Sequence, residues 1–464
     1  MFKELLEPPD KGSEGEGLNE SAPNREAFRP IHYLGSKLRI VGEVVQAVDY
    51  IDPHNAPACD LFAGSGTIAH ALAKTRPVIA ADIQAYSTAI CRSLLGTDSN
   101  DHGTYNAKSA SNLYDESLLN ALEEAAEPLL QFEAASQTQA VNGDLAPVAE
   151  ILECGSLLAW EHGQSPARGE LLKAVRRCAQ SLAAKPFLKS NAITLRSYGG
   201  LYFSYRQAIM LDAIASAARQ SKNADQVAAM LSTASDIVNT VGKQFAQPLQ
   251  IRGKDGAIKC HLVRKILFDR SRDTFETYRD FLMHFARYRR PRPGNKVVQG
   301  DFREVLKSLK EGVGTIYADP PYTRDHYSRY YHVLETLALG DDPEVSMSNI
   351  GGGRILSRGV YRMDRHQSPF CIKSAAPRAF DALFHGARAI GVSLVVSYSG
   401  YSVTQSSRPR VMGLLDVEEI ASRHFSSVER QIVDDFRHAK LNHSRLNFGK
   451  GTTNEVLLIC RSPK

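Results

Sequence analysis

The chain has 464 residues, 43% of them apolar, and a formal net charge of +5. That length and apolar content allow a catalytic domain plus a substantial second unit. No run approaches the roughly 18 apolar residues of a membrane-spanning helix, and the first residues lack a signal peptide's apolar stretch. Seven cysteines, at 59, 91, 154, 178, 260, 371 and 460, are scattered without a C-x-x-C pair. This predicts reduced thiols and argues against a disulfide framework or a zinc site. The mild positive charge permits nucleic-acid binding without indicating it.

In chain order, residues 8–25 are rich in Pro, Gly, Glu and Ser and read as part of a flexible leader over 1–30. Residues 58–62 form a short apolar run, residues 63–67 a glycine turn, and residues 68–73 continue with helical spacing. Strand, glycine turn and helix bring backbone amides and a positive helix end close to a nucleotide-like ligand. The third glycine of the dinucleotide fingerprint is absent, since Ile68 and Ala69 stand where it would fall. That argues against a nicotinamide enzyme. The next apolar run, residues 77–81, leads to Asp82, an acid placed to grip two ribose hydroxyls or, more plainly, a strand-end turn residue.

About 200 residues then intervene, 91–295, too many for a loop. Residues 101–160 carry one Lys and ten acids in an Ala-, Leu- and Glu-rich stretch that reads as amphipathic helices facing away from phosphates. In residues 191–206, Tyr198, Tyr202, Phe203 and Tyr205 lie beside Gly199 and Gly200. These aromatics suit stacking on bases or, equally, packing against a core. Residues 250–296 hold thirteen Lys and Arg against five acids, interleaved with aromatics and closing on Arg289, Arg290 and Arg292. Such a segment can contact DNA phosphates and guanine edges, or can be a solvated basic helix face.

After an apolar run at 296–299 come Gly300, Asp301 and Phe302, and a second run at 313–318 ends in Asp319-Pro320-Pro321-Tyr322. Ligands bind at the carboxyl ends of strands in open α/β sheets, and two prolines hold the backbone rigid there. Asp319 and the Pro320 carbonyl can each accept a hydrogen from a planar amine, and Tyr322 can stack on the ring that bears it. Alone, the tetrapeptide also fits a strand followed by a turn. Residues 323–332 are rich in Arg, Tyr and His; Tyr327, Arg329 and Tyr330 are candidates to hold a substrate's sugar and phosphate. His326 and His332 lack a carboxylate or cysteine at ligand spacing, and no metal is expected. Residues 351–365 suggest a basic lid, while 390–397 and 454–460 read as later strands.

Taken together, these motifs resemble the alpha group of DNA adenine-N6 methyltransferases. Residues 32–37, with Tyr33, Gly35 and Lys37, look like that family's amino-terminal motif, and Asp60 to Gly66 like its cofactor loop. The resemblance implies a Rossmann-like class I methyltransferase fold of α/β class, with a mostly parallel sheet. The catalytic domain would span 31–90 and 296–464, and a large, largely helical target-recognition region would occupy 91–295. S-adenosylmethionine would be held by Tyr33, Lys37, Asp60, Phe62, Gly64, Ser65, Gly66, Asp82, Asp301 and Phe302. Asp319, Pro320, Pro321 and Tyr322 would act on the N6 amine of an adenine flipped out of double-stranded DNA. Tyr198, Arg289, Arg290, Tyr327, Arg329 and Tyr330 would contact the substrate. The implied setting is the cytoplasm of a bacterial, archaeal or phage-infected cell, beside a cognate restriction or defence protein. An N4-cytosine methyltransferase, an RNA or protein N-methyltransferase, and a non-enzymatic DNA-binding module are the alternatives; the intact acids and glycines speak against the last.

Overall fold

The computed structural model describes residues 28–97, 113–309, 312–324, 326–350, 353–399, 410–433 and 455–464. The leader expected before residue 28 lies outside them. By contacts the chain divides into a unit of residues 33–102, 285–328 and 366–464 and a unit of residues 1–32, 103–284 and 329–365. The second includes 329–365, which the motif order assigns to the catalytic half.

Nine strands are described: β1 (Ala58–Asp60), β2 (Val78–Asp82), β3 (Lys296–Gln299), β4 (Thr315–Ala318), β5 (Met347–Ile350), β6 (Gly353–Leu356), β7 (Ser393–Ser399), β8 (Phe425–Val433) and β9 (Glu455–Pro463). All but β5 and β6 make one sheet in the order β3-β2-β1-β4-β7-β9-β8. The first five of these are parallel neighbours, and β9 runs antiparallel to both β7 and β8. Strands covered on both faces read as continuous apolar runs, which is why β4 and β7 are buried along nearly their whole length. This is the Rossmann-like methyltransferase sheet. The chain moves outward from β1 to β3 and then returns to β4 on the other side of β1. That reversal opens a crevice at the carboxyl ends of β1 and β4, and the acids Asp60, Asp82 and Asp319 stand at the ends of β1, β2 and β4. β4 starts two residues later than the apolar run suggests, although the Gly314 N–H already bonds the Pro57 carbonyl just before β1.

The other unit is largely helical. Asp115 caps the long helix Glu116–Val141 by accepting the Leu118 N–H at 3.0 Å. Leu118, Leu122, Ala125, Ala126, Leu129, Ser136 and Ala140 form its buried stripe, which Glu133 interrupts. Glu133 is buried with Arg270, 3.2 Å away, and accepts the Tyr205 N–H at 3.0 Å. Ser204 and Gln207 close a capping box at the start of helix Tyr205–Ser221. The aromatics beside Gly199 and Gly200 are core: Tyr198, Tyr202, Phe203 and Tyr205 are all buried, and the Tyr202 hydroxyl donates to the Phe245 carbonyl at 2.8 Å. In the segment expected to be a lid, β5 and β6 form an antiparallel hairpin, and Arg362 is buried between Asp341 and Asp364. Among the described residues no helix is long and apolar enough to cross a membrane. All seven cysteines are free.

Candidate active site

A cavity lies at the carboxyl ends of β1, β2 and β4, within the sheet unit. Tyr33, Lys37, Asp60, Phe62, Gly64, Ser65, Asp82, Asp301, Phe302, Asp319, Pro320, Pro321, Tyr322 and Tyr327 all line it. The motifs of the sequence thus converge on one space.

At its glycine turn, Gly64 has φ +53 and Gly66 φ +74, left-handed values that favour glycine. A Cβ on Gly64 would sit 2.9 Å from the Tyr33 ring, so the turn and Tyr33 form a close wall. Gly66 is not in the lining. A Cβ there would come 2.8 Å from Leu94, and its role is to let helix Thr67–Leu72 start against helix Ala85–Leu95. Asp82 accepts the Gly64 N–H on one oxygen and the Gln84 N–H on the other, each at 2.9 Å. Asp60 accepts the Ala69 N–H at 3.0 Å. Burial pushes the Asp60 carboxyl up to about 8, against the pull of that hydrogen bond, and raises Asp82 as well. Asp301 caps helix Phe302–Ser308 by accepting the Arg303 N–H at 2.9 Å. Phe302 packs against Phe62, with centroids 5.8 Å apart, and the two rings make an apolar wall.

The second half of the cavity is built on β4. Asp319 Oδ1 is 3.1 Å from Lys37 Nζ, which also lies 2.8 Å from Glu455 Oε1. Glu455 accepts from Ser397 Oγ at 2.9 Å and from the Tyr322 hydroxyl at 3.4 Å. Burial works against the Lys37 charge, but Asp319 and Glu455 outweigh it and hold the ammonium protonated. Burial pushes Asp319 up to about 6; Lys37 pulls it down and Glu455 pushes it further up. Tyr322 packs on Tyr398, with centroids 5.1 Å apart, and the Arg410 guanidinium lies 4.9 Å from its ring centre. Glu455, Ser397 and Arg410 were not singled out in the sequence. Glu455 opens an apolar strand, and only the sheet order brings it to Lys37, 418 residues away.

Several expected substrate contacts lie elsewhere. Tyr198 belongs to the helical unit, where it is 1% exposed and its hydroxyl bonds Thr336 at 3.0 Å, so it packs the core and is not available to a substrate. Arg290 sits in the sheet unit outside the cavity lining: its N–H donates to the Leu94 carbonyl and its Nε to His70 Nε2, both at 2.8 Å. Arg289 lies beside Gly96, whose added Cβ would be 3.4 Å from its Nε. The Arg290 side chain thus meets His70 on helix Thr67–Leu72, while its backbone N–H caps the end of helix Ala85–Leu95. Arg329 and Tyr330 belong to the helical unit. Arg329 is exposed beside Tyr361, at 5.6 Å, and Arg365 lies 4.8 Å from the same ring. The Tyr330 carbonyl accepts the Phe245 N–H.

Among the described residues four aspartates and one lysine line the cavity, which suits a positively charged ligand. An apolar aromatic wall beside paired acids suits a ring attached to a sugar. Sheet order, glycine turn and β4 tetrapeptide together define a Rossmann-like methyltransferase fold. Residues 33–125 and 279–355 match the D12 class N6 adenine-specific DNA methyltransferase family. The chain is similar to the modification methylase LlaI of Lactococcus lactis subsp. lactis, 29% identical over 175 residues, covering 33% of this chain and 26% of the relative. It is also similar to the type II methyltransferase M.NlaIII of Neisseria lactamica, 32% identical over 94 residues, covering 20% of this chain and 24% of the relative. The chain thus spans about a quarter of the length of these two relatives.

Proposed function

We propose that the protein is a site-specific DNA methyltransferase that moves a methyl group from S-adenosylmethionine to the N6 amine of an adenine flipped out of duplex DNA. The observation that carries this reading is Asp319-Pro320-Pro321-Tyr322 at the end of β4, in one cavity with Gly64, Asp82 and Phe302. S-adenosylmethionine supplies a methyl group made electrophilic by its sulfonium. Tyr33, Ser65 and the turn at Gly64 would hold its methionine end, Asp82 its ribose, and Phe62, Asp301 and Phe302 its adenine. The surplus of carboxylates supports a cationic ligand.

An adenine amine is a poor nucleophile because its lone pair is delocalised into the ring. Hydrogen bonds to Asp319 and to the Pro320 carbonyl favour a pyramidal nitrogen and hold it in line for transfer. Asp319 acts chiefly by positioning and by stabilising the positive charge that grows on nitrogen, because the proton becomes acidic only after transfer. Tyr322 and Tyr327 border the space for the flipped base. In the helical unit, the Arg329 and Arg365 pair around Tyr361 supports a phosphate contact, and this unit would supply target recognition. The names of the two relatives support a modification role, with a restriction or defence protein as partner.

Expression in a methylation-free bacterial host, followed by single-molecule sequencing, tests the reading. N6-methyladenine at one recurring motif, absent with Asp319→Ala, is the expected result. N4-methylcytosine would reassign the base, and unmodified DNA would remove DNA as the substrate.

A further inference from the structure

The Lys37 ammonium stands between two carboxylates, and the geometry favours the one that does not face the substrate. Glu455 is at 2.8 Å and Asp319 at 3.1 Å. Glu455 is fully buried, whereas the Asp319 side chain keeps 20% of its surface exposed. Glu455 is pinned at the first position of β9, where it pairs in register with Ser399 and Val433 and takes the hydroxyls of Ser397 and Tyr322. A buried carboxylate this well held is a fixed anchor for Lys37. With Asp319 as its lone partner, Lys37 would neutralise it and occupy its acceptor sites.

Resting on the methyl-transfer reading, we propose that Glu455 is a positioning residue: it shares Lys37 with Asp319, so the ammonium only partly neutralises the Asp319 carboxylate, which keeps acceptor capacity for the substrate amine. The trio carries two negative charges and one positive. The surplus negative charge faces the cavity, where the amine nitrogen becomes positive during transfer. The groups that act on Asp319 are Lys37, Glu455, Asp60, Tyr317, Tyr322 and Tyr327. Glu455 is the one whose charge can be removed without touching the cavity lining.

The test is the pH dependence of kcat on duplex DNA for the full-length protein and Glu455→Gln. Neutralising Glu455 removes a charge that raises the Asp319 pKa and leaves Lys37 to Asp319 alone. The acid limb should therefore move down by about one pH unit. At neutral pH kcat should drop about tenfold with KM for DNA within about twofold, and the deficit should shrink as pH falls. Glu455→Asp, which keeps the charge, should restore the limb toward wild type. A folded Glu455→Gln protein whose acid limb is unmoved or moves up overturns the proposal. Should thermal unfolding show that Glu455→Gln does not fold, Ser397→Ala decides: losing that hydroxyl strengthens the hold of Glu455 on Lys37, so the limb should move up, and an unmoved limb overturns the proposal. If wild type transfers no methyl group to DNA, the functional reading has failed; an active wild type with an unmoved limb refutes only the role of Glu455.

Discussion

Both units bury charge, but they treat it differently. In the helical unit the buried ions Glu133, Arg270 and Arg196 are met within the fold. Glu133 faces Arg270 and the Tyr205 N–H, and Arg196 is held by Glu161 in a two-pronged contact of 2.9 and 2.7 Å and by Asp342 at 2.7 Å. In the sheet unit the described lining of the cavity holds Asp60, Asp82, Asp301 and Asp319 with Lys37 as its one ammonium, and of these acids Asp301 also meets Arg303 at 3.3 Å. Buried charge that is balanced locally maintains the fold; buried charge left in surplus beside a cavity awaits a ligand of the opposite sign.

Breaking the balanced side should have the largest effect. Glu133→Ala strands the Arg270 guanidinium and should destabilise the protein by about 3–5 kcal/mol, read by denaturant unfolding. On the surplus side stability should change little while function collapses. Asp319→Ala should lower kcat by about 10²–10³-fold with cofactor affinity nearly intact, measured by methyl incorporation and calorimetry. A loss of stability as large as that of Glu133→Ala would erase the distinction. Gly64→Ala forces a left-handed residue into the Tyr33 ring and should weaken cofactor binding about tenfold, with the unfolding midpoint shifting by a few degrees at most. pH sharpens the contrast further. Asp319 must be ionised to accept the amine, and its carboxyl is raised to about 6, so activity should fall as pH drops through about 6. The smallest effect belongs to Arg365→Gln, which should weaken binding of all duplexes alike and reduce the dependence of log K on log salt by about one unit.

Much of the sheet unit was legible in the sequence because its chemistry sits at strand ends. An apolar run fixes where β1, β2 or β4 lies, and the residue after it faces the crevice. Asp82 and Asp319 were found in this way, and Lys296–Gln299 was placed to the residue. Glu455 was missed because its role depends on β9 inserting between β7 and β8, which no local pattern encodes. Tyr198 misled for the opposite reason. A tyrosine beside two glycines reads the same whether its hydroxyl finds a base or, as here, Thr336. The basic run ending at Arg292 had a competing use in helix carbonyls: Arg292 reaches those of Ala73 and Lys74. Charge counts do not distinguish phosphates from carbonyls.

The contact between Lys37 and Glu455 closes a loop of 418 residues. The cost of closing so long a loop grows only slowly with length, and the buried ion pair rewards the closure when it comes. The cavity's charge pattern therefore requires β9 to be seated between β7 and β8, beside a lysine that stands 418 residues earlier.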